Sequence, residues 1–383
     1  MSLDTFLAKK PLYYDIIDYT RMPRAYTSIK EHLLLPPVIH VVGTNGKGTT
    51  GRFLSLMLRQ AGFLVGHYTS PHLFAFNERL WLDGKNVSIE TLEALHVRLQ
   101  SLLSPVFIEE LSYFEYTTLL AALAFEKCDY VVMEAGLGGE YDATNVFPKM
   151  LSIITPIGMD HESFLGNSLV AIATTKLNSI TTQTILSKQY DEAVIDVAKK
   201  ISIEKDVPLL CVADTSLVDE SAIDIYCMKN NYPTFFNENL KTATLAANQL
   251  GVYPHWETLL PLDLPGRCQK ITPNITVDVG HNPMAAARLA QSFPLKSQIL
   301  VYNSFKDKDF AKILALLMPI VKEVQLIPIK TYGRAVDEEG IIHVLDTLAI
   351  PWRPFDERIN PEDCYLVFGS FMVAESFLER IDA

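Results

Sequence analysis

Residues 37–52 read PVIHVVGTNGKGTTGR. The apolar run 38–42 predicts a strand, 43–50 a glycine-rich loop, and 52–60 a helix. Strand, glycine loop and helix together make a phosphate cradle. Glycines let backbone N–H groups approach phosphate oxygens, and the helix N-terminus adds partial positive charge. In this cradle Asn45, Gly46, Lys47, Gly48 and Thr49 are the candidate phosphate-binding residues. Lys47 is placed to reach the outer phosphates and Thr49 to help position a divalent metal. The spacing departs from Gly-x4-Gly-Lys-Ser/Thr because Gly48 stands between the lysine and Thr49. The bland alternative, a glycine-rich turn carrying an exposed lysine, is disfavoured by the strand before it and the helix after it.

The chain has 383 residues, more than one core usually supports, so two domains are expected. Hydrophobic residues make up 49%, charged residues 20%, and the net charge is −12. These values describe an acidic globular protein, not a nucleic-acid binder, and an anionic substrate would need a local basic pocket. Cys128, Cys211, Cys227, Cys268 and Cys364 are odd in number, scattered, and form no Cys-x2-Cys pair, which argues against a disulfide framework or a zinc site. No apolar run approaches eighteen residues, and Lys9 and Lys10 precede no signal-like apolar stretch. A cytoplasmic protein that binds no membrane is expected.

Outward from the loop, residues 3–34 read as one or two helices carrying Tyr13, Tyr14, Arg21 and Arg24, suited to pack on the loop-bearing domain. A second strand, 63–68, runs into Thr69-Ser70-Pro71-His72-Leu73, and Phe76-Asn77-Glu78-Arg79 follows. Helices are expected at 88–104, with Ser88 as cap, and at 113–127. A third strand, 129–133, delivers Glu134, a carboxylate suited to bind Mg²⁺ directly or through water. A fourth, 151–155, leads to His161, which suits a metal ligand or general base as well as a structural role. Polar residues just past such strand ends lie where open α/β sheets bind ligands. Lys176, in a helix expected at 169–180, reads by itself as a solvated lysine. Strands near 183–187 and 208–213 flank a helix at 191–203; residues 214–237 are less regular, and 239–250 are helical.

Residues 261–267, Pro-Leu-Asp-Leu-Pro-Gly-Arg, hold three turn formers and separate two alternating patterns, so they are the expected linker between a first domain, 1–260, and a second, 268–383. In the second, strands are expected at 275–279, 298–302, 323–327 and 365–368, with helices at 283–293, 308–318, 338–348 and 371–380. Its first strand holds Asp278 and leads into Gly280-His281-Asn282-Pro283. The fold class is therefore α/β: a P-loop-type, doubly wound, mostly parallel sheet domain followed by a smaller Rossmann-like α/β domain.

Taken together, GTNGKGTT, TSPHL with FNER, SYFEYTTL (112–119), EAGLGGEYDATNV (134–146), GMDH (158–161), PGR (265–267), DVGHNP (278–283) and FGSF (368–371) resemble the folylpolyglutamate synthase/dihydrofolate synthase family, relatives of the Mur ligases. The resemblance runs from about residue 30 to 375. The glycine loop alone suits any Mur-type ligase, whereas TSPHL-FNER and the DATN segment point to the folate branch.

The resemblance implies an ATP-dependent amide ligase, with a Mur-ligase-like ATP-binding domain and a C-terminal glutamate-ligase domain. A carboxylate on dihydropteroate or a folate attacks the γ-phosphate of ATP, and the amino group of L-glutamate displaces phosphate from the resulting acyl phosphate. By the family pattern Gly46, Lys47, Gly48 and Thr49 hold the phosphates, Ser70 and Glu134 one Mg²⁺, and His161 a second. Lys176, fifteen residues past His161, stands where the family carries a carbamylated lysine. Arg267 and Asp278 contact ATP, and His281 lies near the reacting phosphate or nucleotide. The pterin lies between Ser112, Tyr113 and Phe114 on one side and Tyr141, Asp142 and Ala143 on the other. Domain closure would exclude water from the acyl phosphate. A monomer is expected.

Two positions depart from the family pattern. Thr174-Thr175-Lys176-Leu177-Asn178 stands where Arg-Glu-Lys-Ala-Gly is common, and Glu140 where relatives often carry arginine, a charge change that bears on which folate or glutamate tail is accepted. The family's adenine-side asparagine falls at Asn239 or, next, Asn237. Two other readings compete: a Mur-type ligase acting on a UDP-muramoyl precursor, and a non-catalytic nucleotide-binding protein. The coexistence of Lys47, Glu134, His161 and Asp278 argues against the latter.

Overall fold

The computed structural model describes residues 1–11, 18–215, 220–331 and 333–381; Tyr13 and Tyr14 lie outside them. The chain divides into two compact units, the first comprising Met1–Tyr226 and Glu238–Leu262, the second Cys227–Asn237 and Asp263–Ala383. The second unit thus takes a short stretch, 227–237, from the part of the sequence assigned to the first domain.

Among the described residues, the first unit is built on strands β1 (Val38–Val42), β2 (Val65–Tyr68), β3 (Leu80–Leu82), β4 (Lys85–Asn86), β5 (Tyr130–Glu134), β6 (Lys149–Ile154), β7 (Thr184–Leu186) and β8 (Leu209–Cys211). They lie in the order β4-β3-β2-β5-β1-β6-β7-β8. Strand β1 is wholly buried and pairs in parallel with β5 on one side and β6 on the other. A strand covered on both faces and both edges reads as a near-continuous apolar run, as 38–42 does, with His40 as the one polar residue, its Nε2 2.8 Å from the Thr144 hydroxyl. The chain leaves β1 in one direction to reach β2 and later crosses to β6 on the other side, so the sheet reverses its winding at the C-terminal end of β1.

One core cluster packs the helices Ile89–Leu102 and Tyr113–Ala124 and the N-terminal helices around Tyr68, Val131 and Met133. Another joins Ile154 to the helices Leu169–Leu177 and Glu192–Glu204. Ser88 caps its helix as expected, accepting from the Thr91 amide. Strands β3 and β4 were not anticipated: they form an antiparallel edge whose residues are too few to show alternation. The stretch 214–237 is also more regular than expected, since Glu220–Lys229 is a helix. It buries Ile223, Tyr226 and Cys227, but Ile225 and Met228 are exposed, so apolar residues on both faces blur its period in the sequence.

The second unit holds β9 (Gln269–Thr272), β10 (Ile275–Val277), β11 (Gln298–Tyr302), β12 (Val321–Leu326), β13 (Trp352–Pro354) and β14 (Cys364–Phe368), in the order β13-β12-β11-β14-β10-β9. All pairings are parallel except β9 with β10. The expected four strands are its centre; β9 and β13 are short edge additions. Helices Pro283–Ala290, Phe310–Leu317 and Glu338–Thr347 cover one core, which contains Leu300, Val324 and Leu366.

Candidate functional site

Four strand ends meet along one edge of the first sheet. Because β2, β5, β1 and β6 are parallel neighbours, the residues following each of them emerge side by side. The loop after β1 leads straight into the helix Lys47–Gln60, and Gly46 is the residue before it, with φ +82°. Only glycine adopts that conformation without strain, and a Cβ there would also lie 2.6 Å from Asn239 Oδ1. Gly43 is equally confined, since a Cβ would meet Thr155 Oγ1 at 2.0 Å. Gly48 and Thr49 lie in the helix's first turn, whose amides have no partners within the helix and so remain available to an anion.

Lys47 Nζ donates to Gly43 O at 3.3 Å and to Thr44 O at 3.2 Å, and stands 3.9 Å from Glu134 Oε1. Glu134 is the last residue of β5 and is 3% exposed, so a bare carboxylate there would be costly. The lysine compensates part of that cost. So do the Thr69 hydroxyl and the Ser70 amide, which both donate to Glu134 Oε2, the latter at 3.3 Å. The structure therefore brings Lys47, Ser70 and Glu134 together. Carboxylate and hydroxyl oxygens of this kind suit a small hard cation that keeps several waters and phosphate oxygens.

The loop after β6 is latched to the phosphate loop. Amides of Thr44 and Asn45 donate to Pro156 O at 2.9 and 3.2 Å. The Thr44 hydroxyl donates to Gly158 O and accepts from Gly158 N, both at 3.1 Å. Just beyond, His161 takes a left-handed conformation (φ +53°), and its amide donates to Asp160 Oδ1 at 2.9 Å. Its ring Nε2 lies 4.0 Å from that same oxygen.

Lys176 is not a solvated lysine. It is 4% exposed and its Nζ donates to Gly43 O at 2.9 Å. Burial, and secondly the charge of Lys47, bring its pKa down to about 7, although Asp160 and Asp142 act in the opposite direction. Its helix is clasped by the loop after β5: a Cβ on Gly139 would sit 2.5 Å from Lys176 O, and the Glu140 amide donates to Thr175 O at 2.9 Å. The two positions that depart from the family pattern touch each other, Asn178 Nδ2 donating to Glu140 Oε2 at 2.8 Å.

Of the residues assigned to the pterin, Phe114 lies over Gly136, where a Cβ would come within 2.6 Å of its ring, and stacks on Tyr68 with centroids 5.9 Å apart. Tyr113 faces the Arg79 guanidinium at 5.1 Å. Ser112 caps its helix reciprocally with Glu115. Tyr141 is 56% exposed, whereas Asp142 and Ala143 are buried. The Asp142 carboxylate is turned inward, accepting from the amides of Leu137 at 2.8 Å and Thr144 at 2.9 Å and from the Thr144 hydroxyl; burial pushes its pKa up. Its visible job is to shape the loop.

In the second unit Asp278 follows β10. Its carboxylate is spanned by amides, Gly280 N donating to Oδ1 at 2.8 Å and Cys268 N to Oδ2 at 2.9 Å, while Arg267 and His281 lie close enough for their charge to favour its ionised form. Burial nevertheless dominates and raises its pKa. The Arg267 guanidinium lies over the Phe371 ring at 5.0 Å. His281 Nδ1 is 3.2 Å from Val279 O, and Asn282 caps the following helix, with Pro283 in its first turn as expected.

Sequence reading did not single out Thr44, Thr69 or Asp160. All three lie inside the quoted motifs, but side chains that hold other residues look like any polar loop residue until their partners are known. Asn239 is buried against Gly46, where the asparagine proposed for adenine had two candidate positions.

No protein-family model matches the chain. A curated relative from Buchnera aphidicola (subsp. Acyrthosiphon pisum), a dihydrofolate synthase/folylpolyglutamate synthase, is 31% identical over 389 aligned residues, covering 89% of this chain and 88% of the relative. The chain belongs to the dihydrofolate synthase/folylpolyglutamate synthase family. That membership makes it an ATP-dependent ligase and sets aside the muramoyl-ligase and non-catalytic readings. Solved dihydrofolate synthase/folylpolyglutamate synthase structures agree with its fold. The Helicobacter pylori folylpolyglutamate synthetase matches with TM-score 0.80 and 38% identity, over 99% of this chain and 98% of that one. An Escherichia coli structure complexed with DHPP and ADP matches with TM-score 0.80 and 27% identity, over 99% and 96%. A bifunctional folylpolyglutamate synthase/dihydrofolate synthase with Mn, AMPPNP and L-glutamate bound matches with TM-score 0.80 and 25% identity, over 99% and 97%.

Proposed function

We propose that the protein adds L-glutamate to dihydropteroate, to reduced folates, or to both, through an acyl phosphate. The observation that carries this reading is the buried Glu134 carboxylate set beside Lys47 at the mouth of the glycine loop. The ligands named in the related structures, ADP with DHPP and AMPPNP with Mn and L-glutamate, support the same substrates.

In the first step a carboxylate oxygen of the pterin substrate bonds to the γ-phosphorus, and the bond to the β,γ-bridging oxygen breaks to release ADP. In the second, the glutamate nitrogen bonds to the acyl carbon, loses a proton, and phosphate leaves. Neither step needs a covalent bond to the protein; both need in-line positioning and neutralised phosphoryl charge. Lys47 and the first-turn amides of its helix hold the phosphates. Ser70 and Glu134 would hold one divalent cation, Mg²⁺, and His161, with Asp160 beside it, a second; bound there, such ions neutralise phosphate charge. Lys176, brought to a pKa of about 7, is partly neutral at physiological pH, which is the state that adds CO2 to give a carbamate. Arg267, Asp278 and His281 are assigned to the nucleotide, Asn239 to adenine.

Phosphate release from ATP, Mg²⁺ and L-glutamate, measured with dihydropteroate, a tetrahydrofolate or a UDP-linked muramoyl acceptor, tests the reading. Release with one or both pterin substrates is expected. Release with the muramoyl compound alone, or with none, overturns it.

A further inference from the structure

The peptide unit Pro156–Ile157, just past β6, holds the entry of the phosphate loop. Its carbonyl, Pro156 O, accepts from the amides of Thr44 and Asn45 at 2.9 and 3.2 Å. Those two residues lead into Gly46. With their amides committed to Pro156, the amides of the helix's first turn, from Lys47 to Thr49, are the ones left to face an anion. The N–H of the same peptide unit, that of Ile157, donates to Gln189 Oε1 at 2.9 Å. In a planar trans peptide the C=O and the N–H point to opposite sides, so fixing the direction of one fixes the other.

Gln189 stands three residues past β7 and is buried. Its Nε2 donates to Ser187 O at 3.0 Å, with Ser187 Oγ at 3.3 Å and Thr155 O at 3.4 Å. The side-chain amide is thus oriented by the residues that follow β7 and β6, and it presents its oxygen to Ile157. Satisfying the buried Ile157 amide would take any acceptor. Gln189 does more, because the group it fixes is the peptide whose other end holds the phosphate loop, and an N–H already bonded makes its own C=O a stronger acceptor.

We infer that Gln189 is a positioning residue for ATP: acting through the Pro156–Ile157 peptide, it sets the entry of the phosphate loop and so the amides that hold the nucleotide phosphates. This rests on the reading above that the loop holds the phosphates of ATP.

Steady-state kinetics of Gln189→Met and Gln189→Glu, with ATP, the pterin substrate and glutamate varied in turn, test the inference. Gln189→Met keeps the length of the side chain and removes both polar ends. It is expected to raise KM for ATP about tenfold or more, the scale of one hydrogen bond to a charged group, with KM for the other two substrates near the wild-type values. A protonated glutamic acid reproduces both contacts, its carbonyl oxygen accepting from the Ile157 amide and its hydroxyl donating to Ser187 O, and burial favours that neutral form. Gln189→Glu is therefore expected to match the wild-type ATP KM at pH 6, and to lose that match only as the carboxyl ionises at higher pH. Three results overturn the inference while leaving the proposed function intact: a lower melting temperature of Gln189→Met with an unchanged ATP KM, a rise shared equally by all three substrates, or a Gln189→Glu defect as large as that of Gln189→Met and constant with pH. Absence of pterin-dependent phosphate release by the wild-type protein overturns both.

Discussion

Lys47 and Lys176 donate to the same oxygen, the carbonyl of Gly43, at 3.3 and 2.9 Å. Burial of Lys176, and secondly repulsion from the Lys47 ammonium on the same acceptor, bring its pKa down to about 7 from an ordinary value of 10.5. Between those two values the unfolded chain holds a proton that the folded chain lacks, so this residue's contribution to stability rises with pH across the window from about 7 to 10 and is least favourable below it. Denaturant midpoints of the wild type and Lys176→Met, compared in CO2-free buffers from pH 6 to 10, should therefore shift in favour of the wild type as pH rises. A gap that stays constant with pH rejects the shifted lysine.

Glu134 is the carboxylate at the centre of the first site, held by Thr69, Ser70 and Lys47. Glu134→Gln keeps the shape and removes the charge. Turnover should fall by roughly 100-fold or more, with more Mg²⁺ needed for half-maximal rate. Turnover and Mg²⁺ dependence like those of the wild type would show that the carboxylate binds no cation that matters to the reaction.

Arg267 packs on Phe371, a contact of about 0.5–2 kcal/mol. Arg267→Ala should accordingly lower the melting temperature only slightly while reducing turnover roughly 100-fold, the scale of losing one charged group on a transferring phosphoryl. Equal losses of stability and rate would make the arginine a packing residue.

Gly139 has backbone on its open side: a Cβ would lie 2.5 Å from Lys176 O and 2.8 Å from Lys176 Cα. No flexible side chain can yield there, so Gly139→Ala should cost about 1–3 kcal/mol of unfolding free energy and displace Lys176. Chemical denaturation measures the first effect, and the pH dependence described above the second.

Arg21 and Glu115 form an ion pair with little solvent access, side chains 9% and 10% exposed. Removing one partner strands a buried charge, so Arg21→Ala and Glu115→Ala should each cost about 3–5 kcal/mol, and the double variant much less than their sum. Additive losses would show that the two charges do not depend on each other.

Much of the site was legible because it is written in short contiguous motifs at strand ends. The strand at 38–42 and the end of the following helix lie where the sequence placed them, although that helix begins at Lys47, inside the stretch expected to be loop, and Glu134 closes its strand as expected. Less was legible in the short edge strands Leu80–Leu82, Lys85–Asn86 and Trp352–Pro354, where two or three residues carry no period. The character of Lys176 was also hidden: by itself it reads as a solvated lysine, and its environment comes from a loop more than a hundred residues earlier.

The sequence by itself determined which chemical groups the protein owns and the local frame that presents them: the glycine loop, the carboxylate after β5, the histidine after β6 and the family to which these belong. Tertiary structure decided what those groups become. It set Asn239 against Gly46, locked Thr44 to Gly158, turned Asp142 inward to its own loop, and laid Tyr19 on Tyr141. The reason is that backbone conformation depends on neighbours in the chain, whereas desolvation, pairing of charges and ring contacts depend on neighbours in space.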